Sequence, residues 1–388
     1  MSELPSVVRA TASTRRGQLR VCLVIGQLGL GGTEKQVVLL ADGLRRRGVD
    51  VTVVVLTTEG PREAALREAG VPVVYLGLVP VPGWRAVAQL AGALVRLTRY
   101  FIGARPHLVH AFLFHSYVLT APAARLAGVP VVVAGRRSLD DFKRGHHWAL
   151  AAERIANRLT HLLVANAYAV ADCVRTTERV PARKVRVIYN GLPEQAFNEA
   201  EPALLDTGRP VVLCVANLKP GKGHASLLEA GRLLRKRRLP CTFVFAGFGP
   251  EHAELARRAA ELRLDVRLLG ARQDVDRLIA RADVVVLASM SEGMPNAVME
   301  AMAAGRPVVA TSVGGTPELL GDGRGILVRP GDARGLADAV AKVLGDPDRA
   351  REMGRAARRW SRTHLHCDTM VQQHLDLYAG LVGRRCAA

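Results

Sequence analysis

Two glutamates, Glu292 and Glu300, stand eight positions apart in the stretch "SEGMPNAVMEAMAAGRPVVATSVGG" (residues 291–315), which holds no further charge until Arg306. A carboxylate in apolar company pairs with a cation or accepts hydrogen bonds from a ligand; the alternative is a solvated helix charge. Pro295 suits the first turn of a helix, Gly293 frees the backbone just before it, and Gly305 is the stop. Glu292 then lies in the loop at a strand's end, and Glu300 sits about a turn and a half into the helix, roughly 8 Å further along by helical rise. Between them the free amides of Gly293, Met294, Asn296 and Ala297 form a positive helix end suited to a diphosphate. One acid could bind hydroxyls on either side of that diphosphate. Met299, Ala301 and Met302 flank Glu300, which favours a paired or ligand-bound role for it.

Lys222, in the Gly-rich loop of "VANLKPGKGHASLLEA", offers an ammonium that could neutralise phosphate or could simply be a solvated turn residue. This is not a Walker loop, because Gly223 and His224 stand where a lysine and a hydroxyl would be required. Near the start, "GQLGLGGTEKQVVLLADGL" places Gly26, Gly29, Gly31 and Gly32 between a strand and a helix, where the backbone can approach a ligand and expose amides. The G-x-G-x-x-G spacing of a dinucleotide fingerprint is missing there, and a bare tight turn competes with the binding reading. His115, in "HAFLFHSY", is expected in a loop, either as an acceptor contact or as a structural or solvated residue. The triplets "DVD" (274–276) and "DPD" (346–348) each precede an amphipathic helix and read as helix-start charges rather than metal ligands.

The elements that would carry these residues follow a regular rhythm. From Arg20 onward, runs such as "RVCLVIG", "VDVTVVVLT", "VPVVYLG", "HLVHAFL", "VPVVVAG" and "HLLVAN" alternate with helical periods. That alternation predicts strand, helix, strand units with a parallel sheet buried on both faces. The rhythm pauses in "NEAEPALLDTGR" (198–209) and restarts with "PVVLCVANL", "CTFVFAGFG", "DVRLLG", "DVVVLAS", "RPVVATS" and "RGILV". Two doubly wound α/β domains in tandem result, with ligands expected in the cleft between facing sheets, beyond the carboxyl ends of the strands. The expected division is a disordered tail at 1–18, a first domain at 19–197, a linker at 198–209, a second domain at 210–365 and a terminal segment at 366–388.

Length and composition agree with two globular domains: 388 residues, 49% of them hydrophobic, and no long low-complexity run. The six cysteines have no spacing of a zinc site, redox pair or disulfide framework, so reduced thiols of a cytosolic protein are expected. The first twenty residues lack an apolar core of signal-peptide length. The longest stretch without Lys, Arg, Asp or Glu, 106–124, is broken by histidines and prolines and does not read as a membrane span. The net charge of +19 is uneven: residues 1–192 hold 26 Lys and Arg against 12 Asp and Glu, the remainder 28 against 23. A basic first half draws anions such as acidic phospholipid, nucleic acid or a phosphorylated substrate, although a biased genome alone would also enrich arginine. Aromatics at 4% are too sparse for nucleic-acid stacking platforms, which argues against a nucleic-acid partner.

The run "VDRLIARADVVVLASMSEGMPNAVMEAMAAGRPVVATSVGGTPELL" resembles the signature region of the retaining glycosyltransferases of family 4, whose E-x7-E motif matches Glu292 and Glu300. The segments "LGLGGTEKQ", "VIYNGL", "VANLKPGKGH", "FVFAGFGP" and "DGRGILVRPGD" extend the resemblance, in family order, over nearly the whole chain. The resemblance implies the GT-B fold, with a nucleotide sugar bound mainly to the second domain, the acceptor mainly to the first, and a last helix (about 369–381) crossing back to the first domain. It implies that Glu300 holds the ribose hydroxyls, Glu292 the sugar's hydroxyls, and Lys222 with the amides near Met294 and Asn296 the diphosphate; Gly31 and Gly32 join this set, and Arg272 falls at the base. The sequence departs from the family twice. Asn217 stands where many members carry an arginine, and "RRSL" follows "VPVVVAG" where many carry a histidine, so that Arg136 or Arg137 either contacts the donor phosphate or an anionic acceptor or lies on the surface.

The reading that follows is a retaining, metal-independent glycosyltransferase of the hexosyltransferase class. It takes a UDP- or GDP-sugar as co-substrate, with no cofactor and no metal, and an acceptor hydroxyl on a glycan or lipid-linked glycan of a surface-polysaccharide pathway. Fixed donors that stabilise the departing diphosphate would serve in place of a metal. A cytoplasmic protein peripheral to an anionic membrane face fits the basic first half. A nucleotide-sugar epimerase of the same fold is the alternative, followed by a basic nucleic-acid or membrane binder. A double-displacement glycosidase fits poorly, since its carboxylates flank one bond at short separation.

Overall fold

The computed structural model describes residues 18–79, 84–139 and 146–386; the expected tail lies outside them except for Gln18. The first sheet contains β1 (Arg20–Ile25), β2 (Asp50–Val55), β3 (Val73–Tyr75), β4 (Leu108–Phe112), β5 (Val131–Arg136), β6 (Leu162–Ala165) and β7 (Val185–Val187). Its helices are α1 (Gly32–Arg46), α2 (Glu63–Glu68), α3 (Trp84–Ala104), α4 (Phe114–Leu126), α5 (His147–Leu159) and α6 (Tyr168–Thr177). The second sheet contains β8 (Val211–Val215), β9 (Thr242–Ala246), β10 (Asp265–Leu268), β11 (Val284–Leu287), β12 (Val308–Thr311) and β13 (Ile326–Val328). With it go α7 (His224–Lys236), α8 (His252–Glu261), α9 (Val275–Arg281), α10 (Asn296–Ala303), α11 (Thr316–Leu320) and α12 (Ala333–Gly345). The chain ends in α13 (Pro347–His364) and α14 (Cys367–Cys386).

Every strand anticipated from the Val, Ile and Leu runs is present, and the pairings are parallel, as in Val21↔Val51 of β1 and β2 or Val212↔Phe243 of β8 and β9. Central strands such as β11 and β12 are buried along their whole length, which is why their sequences are continuously apolar rather than alternating. The strand orders are β3-β2-β1-β4-β5-β6-β7 and β10-β9-β8-β11-β12-β13. In each sheet the order reverses at one place, between β1 and β4 and between β8 and β11. Loops leaving the carboxyl ends of two such neighbours diverge to opposite faces and open a crevice, the site where doubly wound sheets bind ligands. Gly31 follows β1 and His115 follows β4, while Lys222 follows β8 and Glu292 follows β11.

The described residues divide into two compact units, one within Met1–Gly135, Ala152–Leu163 and His374–Ala388, the other within Arg136–Ala151 and Val164–Gln373. In the first unit, Tyr378 of α14 and His110 of β4 share a hydrogen bond of 2.6 Å between the phenol oxygen and Nδ1. Both side chains are fully buried. In the second unit, Phe243, Phe245, Leu227 and Leu228 join Leu336 and Val340 of α12 in a core beneath α7. Residues 198–210 form neither helix nor strand. The five described cysteines are all free thiols. Burial pushes the Cys214 thiol up to about 12, which keeps it protonated and unreactive. Among the described residues no helix is long and apolar enough to cross a membrane.

Helix α7 lies against β9 through Gly231, where a Cβ would come 2.8 Å from Phe243 Cε2. Alanine there gains helix propensity of about 1 kcal/mol but overpacks a buried ring, at a cost of about 1–3 kcal/mol. Gly92 of α3 has nothing within 4 Å of the same position. Gly231→Ala is therefore expected to lower the thermal unfolding midpoint and Gly92→Ala to raise it slightly, a sign difference that differential scanning fluorimetry resolves.

Candidate functional site

The loop after β8 folds back on the loop after β11, with the Met290 amide donating to the Gly221 carbonyl at 2.8 Å. This seats Lys222 opposite Glu292, and their Nζ and Oε1 atoms are 2.6 Å apart with side-chain exposures of 21% and 13%. On its other side the Glu292 segment is held by the loop after β12. Gly314 has φ +50°, and a Cβ on it would lie 1.8 Å from the Glu292 carbonyl oxygen, so only glycine fits both the conformation and the space. The Gly315 amide donates to the Gly293 carbonyl at 2.7 Å. Glu292 is thus clamped between two loops immediately before α10.

Helix α10 starts at Asn296, with Pro295 one place earlier than its first turn, at the N-cap, and no side-chain cap of its own. The N-cap thus supplies no side-chain acceptor to the amides that open the helix. Gly293, Met294 and Pro295 are buried, and Asn296 and Glu300 are half-buried. Glu300 lies in α10 between the buried Met299 and Met302. Beside Gly293, the Asn166 side-chain oxygen sits 3.2 Å from where a Cβ would be and has no hydrogen-bond partner among the described residues.

The remaining anticipated residues fall as follows. Asn217 is exposed in the loop after β8. Arg272 is held by Asp274 through two hydrogen bonds of 2.8 and 2.7 Å, so the first acid of the "DVD" triplet serves an arginine, while Asp346 of "DPD" caps α13 by accepting from the Arg349 amide at 3.0 Å. Neither Arg136 nor Arg137 lies on the surface, contrary to one of the two readings of "RRSL": Arg136 closes β5 fully buried against Glu178 at 3.2 Å, and Arg137 is 7% exposed with Nη1 donating to Asn190 Oδ1 at 2.5 Å. In the other unit, Gly31 caps α1 and Gly32 begins it, and the Glu34 carboxylate leans back over Gly31, to 2.3 Å from where its Cβ would lie. An anion approaching that helix end meets this carboxylate. His115 is exposed in the first turn of α4 rather than in a loop, because the chain turns sharply at Leu113, whose φ of +68° is costly for a branched side chain. Among the described residues no group of three or more His, Cys, Asp or Glu could hold a metal ion.

Comparison with known proteins shows the family of this chain. Residues 30–195 match the family model described as Glycosyltransferase Family 4, and residues 209–346 match that described as Glycosyl transferases group 1. Alpha-D-kanosaminyltransferase of Streptomyces kanamyceticus is 32% identical over 312 residues, covering 73% of this chain and 78% of that protein. This chain belongs to the group 1 glycosyltransferases.

A GDP-mannose-dependent alpha-(1-6)-phosphatidylinositol monomannoside mannosyltransferase of Mycolicibacterium smegmatis is 33% identical to this glycosyltransferase over 184 residues, which is 44% of this chain and about half (48%) of the relative. The crystal structure of Anabaena Alr3699/HepE in complex with UDP-glucose superposes with a TM-score of 0.81 at 24% identity, over 93% of this chain and 100% of that one. Two Rossmann-like parallel sheets of the GT-B kind are therefore present, as the sequence predicts.

Three residues of this glycosyltransferase escaped the sequence reading. Asn190, from "VIYNGL", carries no charge and was noticed only as part of a segment of the family resemblance, with no role of its own. Glu318 accepts from the Tyr168 and Ala169 amides, each at 2.9 Å, and so caps α6, whose own N-cap, Ala167, has no side-chain acceptor. His224, the first residue of α7, is buried with its Nε2 3.8 Å from Cys214 Sγ, and its Nδ1 has no hydrogen-bond partner among the described residues.

Burial first, and the nearby Lys222 charge second, lower the His224 pKa to about 4. An unfolded chain protonates this histidine near pH 6.5 whereas the folded chain waits until about 4, so the unfolded state binds more protons between those values. Stability accordingly falls as pH drops through that window, by up to about 3 kcal/mol, and the effect is absent above it. Replacing His224→Leu is expected to flatten this part of the acid slope, measured as the difference in urea midpoint between pH 7.5 and pH 5.

Proposed function

We propose that this glycosyltransferase moves a sugar from a UDP- or GDP-sugar to an acceptor hydroxyl with retention of anomeric configuration and without a metal ion. The observation that carries this reading is the Lys222–Glu292 pair set directly before the uncapped start of α10. A diphosphate bound near the amides of Gly293, Met294, Asn296 and Ala297 would lie within reach of the Lys222 ammonium, leaving Glu292 to accept from the sugar's hydroxyls and Glu300 from the ribose. When the anomeric C–O bond breaks, its electron pair passes to a diphosphate oxygen; the acceptor oxygen bonds to the anomeric carbon and its proton passes to the departing diphosphate. Amides and an ammonium fixed around that oxygen stabilise the charge it gains without reorganising. Arg272 and Asn217 would border the nucleoside and diphosphate, Gly31 and Gly32 belong to the same proposed donor set, and His115 would contact the acceptor.

The division into an acceptor-side domain at 19–197 and a donor-side domain at 210–365 belongs to the same proposal. A lipid-linked or surface-polysaccharide precursor is the proposed acceptor, and a cytoplasmic, membrane-peripheral location goes with it. The excess of Lys and Arg in residues 1–192 and the phosphatidylinositol-linked acceptor in the mannosyltransferase relative's name support this.

Incubation with a panel of UDP- and GDP-sugars and lipid-linked acceptors is expected to release nucleoside diphosphate, and proton NMR of the product to report a retained anomeric configuration. EDTA should leave the rate unchanged. Lys222→Ala and Glu292→Gln are each expected to lower kcat about a hundred- to a thousandfold, the range for losing one fixed transition-state contact. Absence of turnover with every pair, in a folded protein, counts against the reading.

A further inference from the structure

Asn190 is 4% exposed and uses both ends of its amide. Its Oδ1 accepts from Arg137 Nη1 at 2.5 Å, while its Nδ2 donates to the Met294 carbonyl at 3.3 Å and to Asn296 Oδ1 at 3.0 Å. These partners fix which way the amide points, since only the oxygen can face a guanidinium and only the nitrogen a carbonyl. Arg137 also reaches the same place through its backbone: a Cβ on Gly293 would lie 2.1 Å from the Arg137 carbonyl oxygen, so glycine alone permits this approach. Main chain and side chain of Arg137 therefore bracket residues 293–296, the first of them directly and the last through Asn190. The adjacent Asn166 oxygen, buried and unpartnered among the described residues, marks this corner as built around something still to be bound.

Charge gives the arrangement a purpose. The positive charge of Lys222 is offset by the Glu292 carboxylate that it touches, and a helix N-terminus contributes only about half a unit of positive charge. A departing nucleoside diphosphate gains a full negative charge. An asparagine orients a guanidinium without adding a negative charge of its own, which a carboxylate in its place would do. We propose that Arg137 donates to the leaving diphosphate at the start of α10 and that Asn190 is the residue that positions it. The guanidinium keeps all its protons; it offers N–H donors to the oxygen that receives the electron pair of the broken C–O bond. This inference rests on the donor reading above.

The test measures dissociation constants for UDP and GDP, and for uridine and guanosine, by titration calorimetry on the full chain. Arg137→Met and Asn190→Asp are each expected to weaken the preferred diphosphate about ten- to hundredfold, the worth of a charge-assisted hydrogen bond, and to leave the parent nucleoside within about twofold. Combining Arg137→Met with the uncharged Asn190→Ser should be no worse than Arg137→Met alone, because Asn190 acts through Arg137. If Asn190→Asp does not fold, Asn190→Ser, which also loses the bridge, is read the same way. Equal losses for diphosphate and nucleoside, or unchanged diphosphate binding in both variants, would overturn the inference while leaving the donor reading intact. A wild-type chain that binds neither diphosphate overturns both.

Discussion

An ammonium and a carboxylate at 2.6 Å, each with about a fifth or less of its side chain in water, must be held by something other than their own attraction. Desolvation of two such groups costs about as much as their mutual Coulomb energy returns, so a half-buried pair survives where the backbone fixes both partners. Here the fixing is done by loops pressed carbonyl to glycine. The chain at Gly221 bonds the Met290 amide, and the chain at Gly314 and Gly315 closes over Glu292 and Gly293. The pair is therefore a consequence of three loop ends meeting at one place, and that place is where β8 and β11 part.

That convergence follows from the sheet. Valine-rich strands buried on both faces need helices on both sides, and the parallel order they force sends every βα loop to one edge. Each sheet repeats the same plan, with a Gly-rich turn after its first strand and a chemical side chain after the strand next to it. The two differ in what occupies the helix ends. The mouth of α1 is shadowed by its own Glu34, whereas at α10 the Pro295 N-cap places no carboxylate over the helix start.

Strand and helix content was legible because apolar runs of this kind have no other use, and Glu292, Lys222 and Glu300 were legible because charges among Val, Met and Gly stand out. Arg137 was visible only as one of two arginines with no stated partner, and its burial depended on Asn190, a neutral residue 53 positions away. His224 was dismissed as the wrong residue for a Walker loop, yet its burial beside Lys222 makes it an acid-sensitive point of the fold. Glu318, in "GGTPELL", carried no reading of its own in the sequence, and the structure supplies the α6 amides it accepts from. For Arg137 and Glu318 the property lies in a partner distant in the chain, which periodicity and spacing do not encode.

The hydrogen bond between His110 and Tyr378 joins residues 268 positions apart, and the unit that contains it draws on the last stretch of α14 as well as on β1. A ribosome delivers β1 through β4 long before it delivers Tyr378. Strands β1 to β4 must therefore wait, their buried histidine lacking this phenol, until α14 has been made. The second unit, which stops at Gln373, precedes Tyr378 in the chain and is synthesised before it. Closing so long a loop adds little to its entropic cost, which grows only with the logarithm of length, but it makes the amino-terminal part the last to be sealed and the one most in need of protection while nascent.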